Sequence, residues 1–171
     1  LILTASHNPL QWNALKLLNE HGEFLNAEEG ASVLKIAADD SYTFAPVDRL
    51  GKVYTNNTWN RRHIEQVLAL PLVDREAIAK AGFKVAVDAV NSVGGVIVPE
   101  LLRALGVKEV IELNCTPTGY FGHTPEPIPE NLGDIAAPVG ESGADVGFVV
   151  DPDVDRLAII SDGGAFFGEE Y

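Results

Sequence analysis

The sequence predicts an α/β fold in which mixed or mostly parallel sheets are flanked by helices and divided between two domains. After Pro71, helix-like and strand-like segments alternate regularly, which is typical of a sheet built with crossover helices. Before that alternation, the stretch from Ser41 to Thr58 is loop-like, and the chain begins in a strand-like run, Leu1–Leu3. The junction between the two domains is therefore expected just beyond Thr58.

The N-terminal part of the chain predicts a hairpin followed by one helix. Asn26, with Glu29 three residues later, has the form of a helix N-terminal cap, and the apolar spacing that follows is helical. The predicted elements are a strand at Leu1–Leu3, a hairpin over residues 14–25, a helix from Asn26 to about Asp39-Asp40, and a short strand at Lys52–Thr55.

The remainder predicts a connecting helix and then the regular alternation. Pro99 is tolerable in the first turn of a helix, Asn131 has the form of a helix cap, and Gly94-Gly95 is interpreted as a structural turn. The predicted helices are Asn60–Leu70, Asp74–Ala81, Pro99–Leu105 and Asn131–Glu141; the predicted strands are Lys84–Val90, Glu109–Leu113, Asp145–Val150 and Leu157–Ile160. The predicted domain limits are 1–62, 63–163, and a connection at 164–171.

Composition excludes several classes of partner. Twenty-five acidic against 12 basic residues give a net charge of −13, which argues against nucleic acid and anionic membrane surfaces. The single cysteine, Cys115, permits no internal disulfide and suits a reducing compartment. No membrane span or signal peptide is evident, so we expect a cytoplasmic protein.

Three aspartates alternate along the stretch Asp151-Pro152-Asp153-Val154-Asp155-Arg156, between two apolar runs that are typical of buried strands. In extended backbone the three carboxylates project to one side, and two carboxylates about 4 Å apart repel by roughly 4 kcal/mol at an effective dielectric constant near 20. A hard cation, Mg²⁺ or Ca²⁺, would relieve that repulsion. The alternative is a solvated acidic turn. An EF-hand is disfavoured, because its sixth and twelfth positions are Arg156 and Asp162 here.

A second candidate site follows the first strand, at Thr4-Ala5-Ser6-His7-Asn8-Pro9. Ser6 and His7 are adjacent, and in an extended chain their side chains would point apart, so a serine–histidine pair is not expected. A phosphoserine at Ser6, in contrast, would offer oxygen ligands to a cation held by the aspartates. The alternative is an unmodified serine in a turn.

These two loops, with two further segments, resemble the α-D-phosphohexomutase superfamily, which contains the phosphoglucomutases, phosphomannomutases and phosphoglucosamine mutases. Residues 4–9 resemble its phosphoserine loop, Lys16 matches a family lysine, Asp151–Arg156 resembles its magnesium loop, and residues 125–132 resemble the entry to a helix of its second domain. The resemblance implies a fragment that covers the end of the first domain, which is then incomplete, and the second domain.

The resemblance also implies residue roles. Ser6 would carry the phosphoryl group, and Asp151, Asp153 and Asp155 would hold Mg²⁺ against an oxygen of phosphorylated Ser6. His7 and Lys16 would transfer protons at the sugar hydroxyl, with Arg156 supporting charge. The implied reaction interconverts hexose 1-phosphate and hexose 6-phosphate through a hexose 1,6-bisphosphate, which also activates the parent enzyme. The fragment alone is expected to bind Mg²⁺ weakly and to turn over no sugar.

Some residues depart from the family pattern. Pro152 and Val154 stand where the family loop commonly has glycines, and Trp12–Leu15 replaces the commoner approach to Lys16. Residues 168–171 superficially resemble the sugar-recognition motif of the third domain but lack its serine, so we interpret them as a connection. Two alternative functions remain: a non-catalytic acidic α/β module that binds a divalent cation, and a haloacid-dehalogenase-like phosphatase, whose aspartates would lie on the first strand.

Overall fold

The computed structural model describes residues 1–167 and divides the chain into two compact units. The first unit contains Leu1–Leu3 and Ala14–Asn57, and the second contains Thr4–Asn13 and the described residues from Thr58 onward. The candidate phosphoserine loop therefore groups with the second unit. Residues 168–171, the second half of the predicted connection at 164–171 and the part with its motif, lie outside the described residues.

The first unit is built from two short strands and one long helix. Strand β1 (Ile2–Thr4) pairs with β2 (Ala14–Lys16). The predicted hairpin over residues 14–25 is therefore wrong in its pairing, and a single bridge between Leu18 and Phe24 remains of it. Helix α1 (Ala27–Ala38) begins with the predicted cap, because Asn26 accepts from the amide of Glu29 and the Glu29 side chain accepts from the amide of Asn26. The predicted strand at Lys52–Thr55 is wrong. The Val53 side chain is 97% exposed, and no strand among the described residues pairs with this segment.

The second unit contains a mixed five-stranded sheet flanked by helices, which confirms the predicted fold class. In the described residues the sheet order is β4-β3-β5-β6-β7, parallel among β3, β4 and β5 and antiparallel from β5 to β7. The strands are β3 (Lys84–Asp88), β4 (Glu109–Leu113), β5 (Val146–Val150), β6 (Leu157–Ser161) and β7 (Phe166–Phe167); the helices are α2 (Trp59–Leu68), α3 (Arg75–Ala81), α4 (Gly94–Leu105) and α5 (Gly133–Ser142).

Helices α4 and α5 cover opposite faces of this sheet. Alternate residues of β3 enter different apolar clusters: Val85 and Val87 pack with Leu102 of α4, whereas Ala86 packs with Val139 of α5. Because β3 and β5 are parallel, their carboxyl ends lie at the same edge of the sheet. The loops that follow Asp88 and Val150 begin at that edge. Among the residues that the structure describes, no helix combines the length and apolar character needed to cross a membrane.

Two predicted boundaries are wrong for identifiable reasons. Helix α4 begins at Gly94 rather than at Pro99, so Gly94-Gly95 forms its first turn instead of a separate turn. A Cβ at Gly95 would lie 2.1 Å from the carbonyl oxygen of Cys115, so this helix start requires a residue without a side chain. Asn131 does not cap α5, because its Nδ2 atom donates to the Glu126 carbonyl at 2.9 Å.

Candidate functional site

The loop after β5 closes on Asp151, whose side chain is fully buried. Its Oδ1 atom accepts from the backbone amides of Asp155 at 3.1 Å and Arg156 at 3.2 Å, and its carbonyl accepts from the amide of Val154 at 3.2 Å. These bonds fold the loop back toward β6, so that its second half runs beside its first. Asp151 is therefore both the structural centre of the loop and one of its carboxylates.

The three carboxylates of Asp151, Asp153 and Asp155 converge, with one oxygen from each within 4.8 Å of the others. They converge through a folded turn and not through the extended backbone on which the prediction was based, because the loop closes on Asp151. Asp151 Oδ2 is buried and accepts no hydrogen bond from any described residue. Burial, followed by the charges of Asp153 and Asp155, raises the pKa of Asp151 to about 6, against the lowering effect of the Arg156 amide. A buried carboxylate oxygen aimed among two other carboxylates fits an all-oxygen site for a hard cation.

Val154 has a left-handed backbone in the middle of this loop, with φ of 65°. Valine is among the least suited residues for this region, because its branched Cβ crowds the backbone. The strained conformation lies where the resembling family commonly has glycine. The loop thus follows a backbone path suited to glycine although valine occupies the position.

Thr4, which the sequence analysis did not single out, connects the two candidate loops. Its Oγ1 atom donates to Asp153 Oδ2 at 2.9 Å and accepts from the backbone amide of Ser6 at 2.8 Å. Its place as the last residue of a strand and the first residue of the candidate loop was the available signal, but its partner Asp153 lies far away in sequence. One hydroxyl therefore positions both a carboxylate of the cluster and the backbone of the candidate phosphoserine.

Ser6 and His7 correct an expectation from the sequence. Ser6 has φ of 49°, so the chain here is left-handed rather than extended, and the two side chains do not point apart. Ser6 Oγ lies 3.2 Å from His7 Nδ1, and both residues are half-buried. Asn8 closes the loop by donating from its backbone and side-chain nitrogens to the Ala5 carbonyl, each at 3.1 Å. His7 is thus within hydrogen-bonding reach of the serine hydroxyl.

The remaining predicted site residues lie in different surroundings. Arg156 is exposed, and its Nη1 atom donates to Glu126 Oε1 at 2.9 Å. Asp155 and Arg156 line a cavity of about 410 Å³ together with Glu126. Lys16 ends β2 in the first unit, and its proton-transfer role stays a prediction.

Comparison with known proteins identifies the family of this chain. A family profile described as "Phosphoglucomutase/phosphomannomutase, alpha/beta/alpha domain II" matches residues 61–164, which is more than half of the chain. The chain belongs to this family. The match confirms the resemblance drawn from the sequence motifs, and it sets aside the haloacid-dehalogenase alternative.

Relatives named as phosphoglucosamine mutase or as phosphoglucomutase/phosphomannomutase align over nearly the whole chain. A probable phosphoglucosamine mutase of Methanobrevibacter smithii is 34% identical over 165 residues, covering 96% of this chain and 36% of the relative. A phosphoglucomutase/phosphomannomutase of Thermococcus kodakarensis is 36% identical over 166 residues, covering 96% and 36%. The chain thus spans little more than a third of the length of the curated mutases it matches.

A solved structure of a protein with a family name has a similar fold. The crystal structure of a putative phosphomannomutase from Thermus thermophilus superimposes with a TM-score of 0.77 at 26% sequence identity, covering 98% of this chain and 37% of that protein. The α/β architecture described above is therefore that of a partial phosphoglucomutase/phosphomannomutase chain.

Proposed function

We propose that this chain supplies the phosphoserine loop and the magnesium loop of a phosphohexomutase, and that the full-length protein interconverts hexose 1-phosphate and hexose 6-phosphate. The observation that carries the proposal is the double role of Thr4, whose hydroxyl bonds to Asp153 and to the Ser6 amide. A phosphoryl carrier and a cation site are expected to act together in phosphoryl transfer.

In the proposed reaction, Ser6 carries the phosphoryl group that is exchanged with the sugar. The bond between phosphorus and Ser6 Oγ breaks while a bond to a sugar hydroxyl oxygen forms, and the hydroxyl proton passes to His7 or Lys16. The hexose 1,6-bisphosphate then reverses its position, and its other phosphate returns to Ser6. The 3.2 Å separation of Ser6 Oγ and His7 Nδ1 supports a role for His7 in this proton movement.

The three aspartates and phosphorylated Ser6 would hold Mg²⁺, which would neutralise charge on the transferring group. Asp151 and Asp153 are held in place by the loop amides and by Thr4. Arg156 would add positive charge beside the aspartates, with Glu126 orienting its guanidinium group. In this proposal the aspartates, Thr4 and Arg156 contribute by positioning groups and by their charge, and they form no covalent bond to the substrate.

The substrate of the proposed enzyme is a phosphorylated hexose, and its proposed location is the cytoplasm. The proposed catalytic unit is the full-length protein, and we expect the 171-residue chain alone to bind Mg²⁺ weakly and to turn over no sugar. The relatives are named for glucosamine, mannose and glucose phosphates, so all three sugars are candidate substrates.

The test is a mutase assay of the full-length protein with glucose, mannose and glucosamine phosphates, Mg²⁺ and a bisphosphate primer. Ser6→Ala should abolish activity, whereas Ser32→Ala, which removes an exposed helix hydroxyl bonded to the Glu28 carbonyl, should leave it unchanged. Absence of activity on every sugar would favour the non-catalytic cation-binding module instead. Undiminished activity of Ser6→Ala would contradict the phosphoserine mechanism.

A further inference from the structure

The Pro152 carbonyl, inside the carboxylate loop, accepts a hydrogen bond from a residue of another loop. Ser92 Oγ donates to it at 2.8 Å. Ser92 is half-buried in the turn between β3 and α4, and Pro152 is buried. The hydrogen bond is therefore partly shielded from water, which reduces competition for the carbonyl.

The turn that carries Ser92 is itself tightly bonded. The Ser92 amide donates to the Ala89 carbonyl at 2.8 Å, and the Ser92 carbonyl accepts from Gly95 at 3.1 Å. Val90 is left-handed, with φ of 49°, and its amide donates to the buried Asp88 carboxylate at 2.9 Å. The Ser92 hydroxyl thus projects from a fixed backbone rather than from a freely moving loop.

Close packing sets the distance between this turn and the carboxylate loop. A Cβ at Gly94 would lie 2.7 Å from Val150 Cγ2 and 3.3 Å from Val154 Cγ2. The first residue of α4 therefore contacts both the end of β5 and the middle of the loop, which leaves Ser92 at bonding distance from Pro152.

We propose that Ser92 is a positioning residue for the carboxylate cluster. Its hydrogen bond fixes the peptide plane between Pro152 and Asp153, and Thr4 fixes the Asp153 carboxylate at the other end. The backbone and the carboxylate of Asp153 are then both held in place beside Asp151 and Asp155 before a cation binds. Cation binding therefore requires less ordering of the loop. This inference rests on the cation-binding role that the proposed function gives to the three aspartates.

The test measures the affinity of the 171-residue chain for Mn²⁺, used as a spectroscopic substitute for Mg²⁺, by the electron paramagnetic resonance signal of free Mn²⁺. Ser92→Ala should weaken Mn²⁺ binding by about tenfold, the usual effect of losing an outer contact of a metal site. Ser92→Thr, which keeps the hydroxyl, should restore it. Ser142→Ala is the matched control, because Ser142 Oγ also donates to a carbonyl, that of Val139 at 2.7 Å, from a half-buried position on α5.

The outcomes separate this inference from the proposed function. If wild type binds Mn²⁺, Asp151→Asn abolishes binding, and Ser92→Ala binds as wild type does, the positioning role is wrong and the proposed cation site stands. Absence of Mn²⁺ binding by wild type would contradict both. The positioning role would also be overturned if Ser92→Ala and Ser142→Ala weakened Mn²⁺ binding equally, or if Ser92→Ala unfolded in chelator. Either result would mean that the Ser92 hydroxyl contributes to the stability of the fold in general.

Discussion

His123 Nε2 lies 2.9 Å from Asp88 Oδ1, and the other ring nitrogen, Nδ1, lies 2.8 Å from the Thr124 carbonyl oxygen. Both partners are hydrogen-bond acceptors, so both ring nitrogens are best satisfied as donors, which requires a charged imidazolium. Burial lowers the pKa of His123, but the hydrogen bond and charge of Asp88 and the Thr124 carbonyl outweigh it, and the net shift is upward from 6.5. The hydrogen bond between His123 and Asp88 joins the long segment that follows β4 to the last residue of β3.

We expect the stabilisation contributed by this pair to disappear at high pH. Because the folded-state pKa of His123 is raised, its contribution is fully present below about pH 6.5, the unfolded value, and is lost as pH rises through the folded-state pKa. His123→Gln should lower the free energy of unfolding by about 1.5–3 kcal/mol at pH 5.5 and by less at pH 9. Urea unfolding at both pH values measures this difference.

The exposed His21 provides a matched control, since its side chain is 71% exposed. His21→Gln should change the free energy of unfolding little at either pH. A destabilisation by His123→Gln that is equal at pH 5.5 and pH 9 would show that the ring charge does not contribute.

Asp151→Asn should stabilise the metal-free protein near neutral pH. The pKa of Asp151 is raised to about 6, so the folded state holds its proton more tightly and wild-type stability falls as pH rises from about 4 through 6. Asparagine keeps an oxygen for the two loop amides without a buried negative charge. We expect the variant to unfold at a higher temperature than wild type in chelator at pH 7.5, and to gain nothing from added Mg²⁺. A variant less stable than wild type in chelator would show that charge repulsion does not dominate at this residue.

Val154→Gly should cost unusually little stability. The left-handed backbone strains valine by about 1–2 kcal/mol, and its relief offsets the loss of half-buried methyl groups. The free energy of unfolding should therefore change by less than about 1 kcal/mol. Val107→Gly, at a half-buried valine without positive φ, should lose about 2 kcal/mol. Equal losses in urea unfolding would mean that the Val154 backbone stores no strain.

Thr4→Val should separate the two candidate loops without removing a reacting group. Valine has nearly the shape of threonine but cannot bond to Asp153 or to the Ser6 amide. Loss of a hydrogen bond to a charged group, about 1.5–3 kcal/mol, corresponds to a fall of roughly tenfold or more in kcat of the full-length protein. Thr4→Ser should recover most of it, and Thr118→Val, which removes a hydroxyl bonded to the Tyr120 amide, should have no effect. Unchanged kcat for Thr4→Val would contradict a joint site.

Local sequence patterns predicted most helices and strands of the second unit, because the apolar residues in those patterns are also the residues that pack in its core. The apolar run Val146–Val150 forms β5 as predicted, whereas the carboxylates that follow it converge through a turn and not through the extended backbone that the prediction assumed. Lys52–Thr55 shows the limit of local patterns, since strand-forming side chains make no strand where nothing pairs with them. The start of α4 depends on the approach of Cys115 to Gly95, a contact that sequence spacing does not encode.

The sequence predicts the residue types of the candidate site but not the contacts that hold them in place. Ser6 and the aspartates stand out as chemical groups, whereas the roles of Thr4 and Ser92 depend on hydrogen bonds to residues far away along the chain. The proximity of His7 to Ser6 was missed because it follows from one left-handed backbone angle, which serine rarely adopts.

The most direct test of the central claim is transfer of a labelled phosphoryl group from glucose 1,6-bisphosphate to the full-length protein in the presence of Mg²⁺, followed by mass-spectrometric mapping. The proposed function predicts about one phosphate per chain, located on Ser6, and none in Ser6→Ala or in Asp151→Asn. Label on another residue, or no label on a protein that is active as a mutase, would contradict the assignment of Ser6 and the aspartates to one phosphoryl-transfer site.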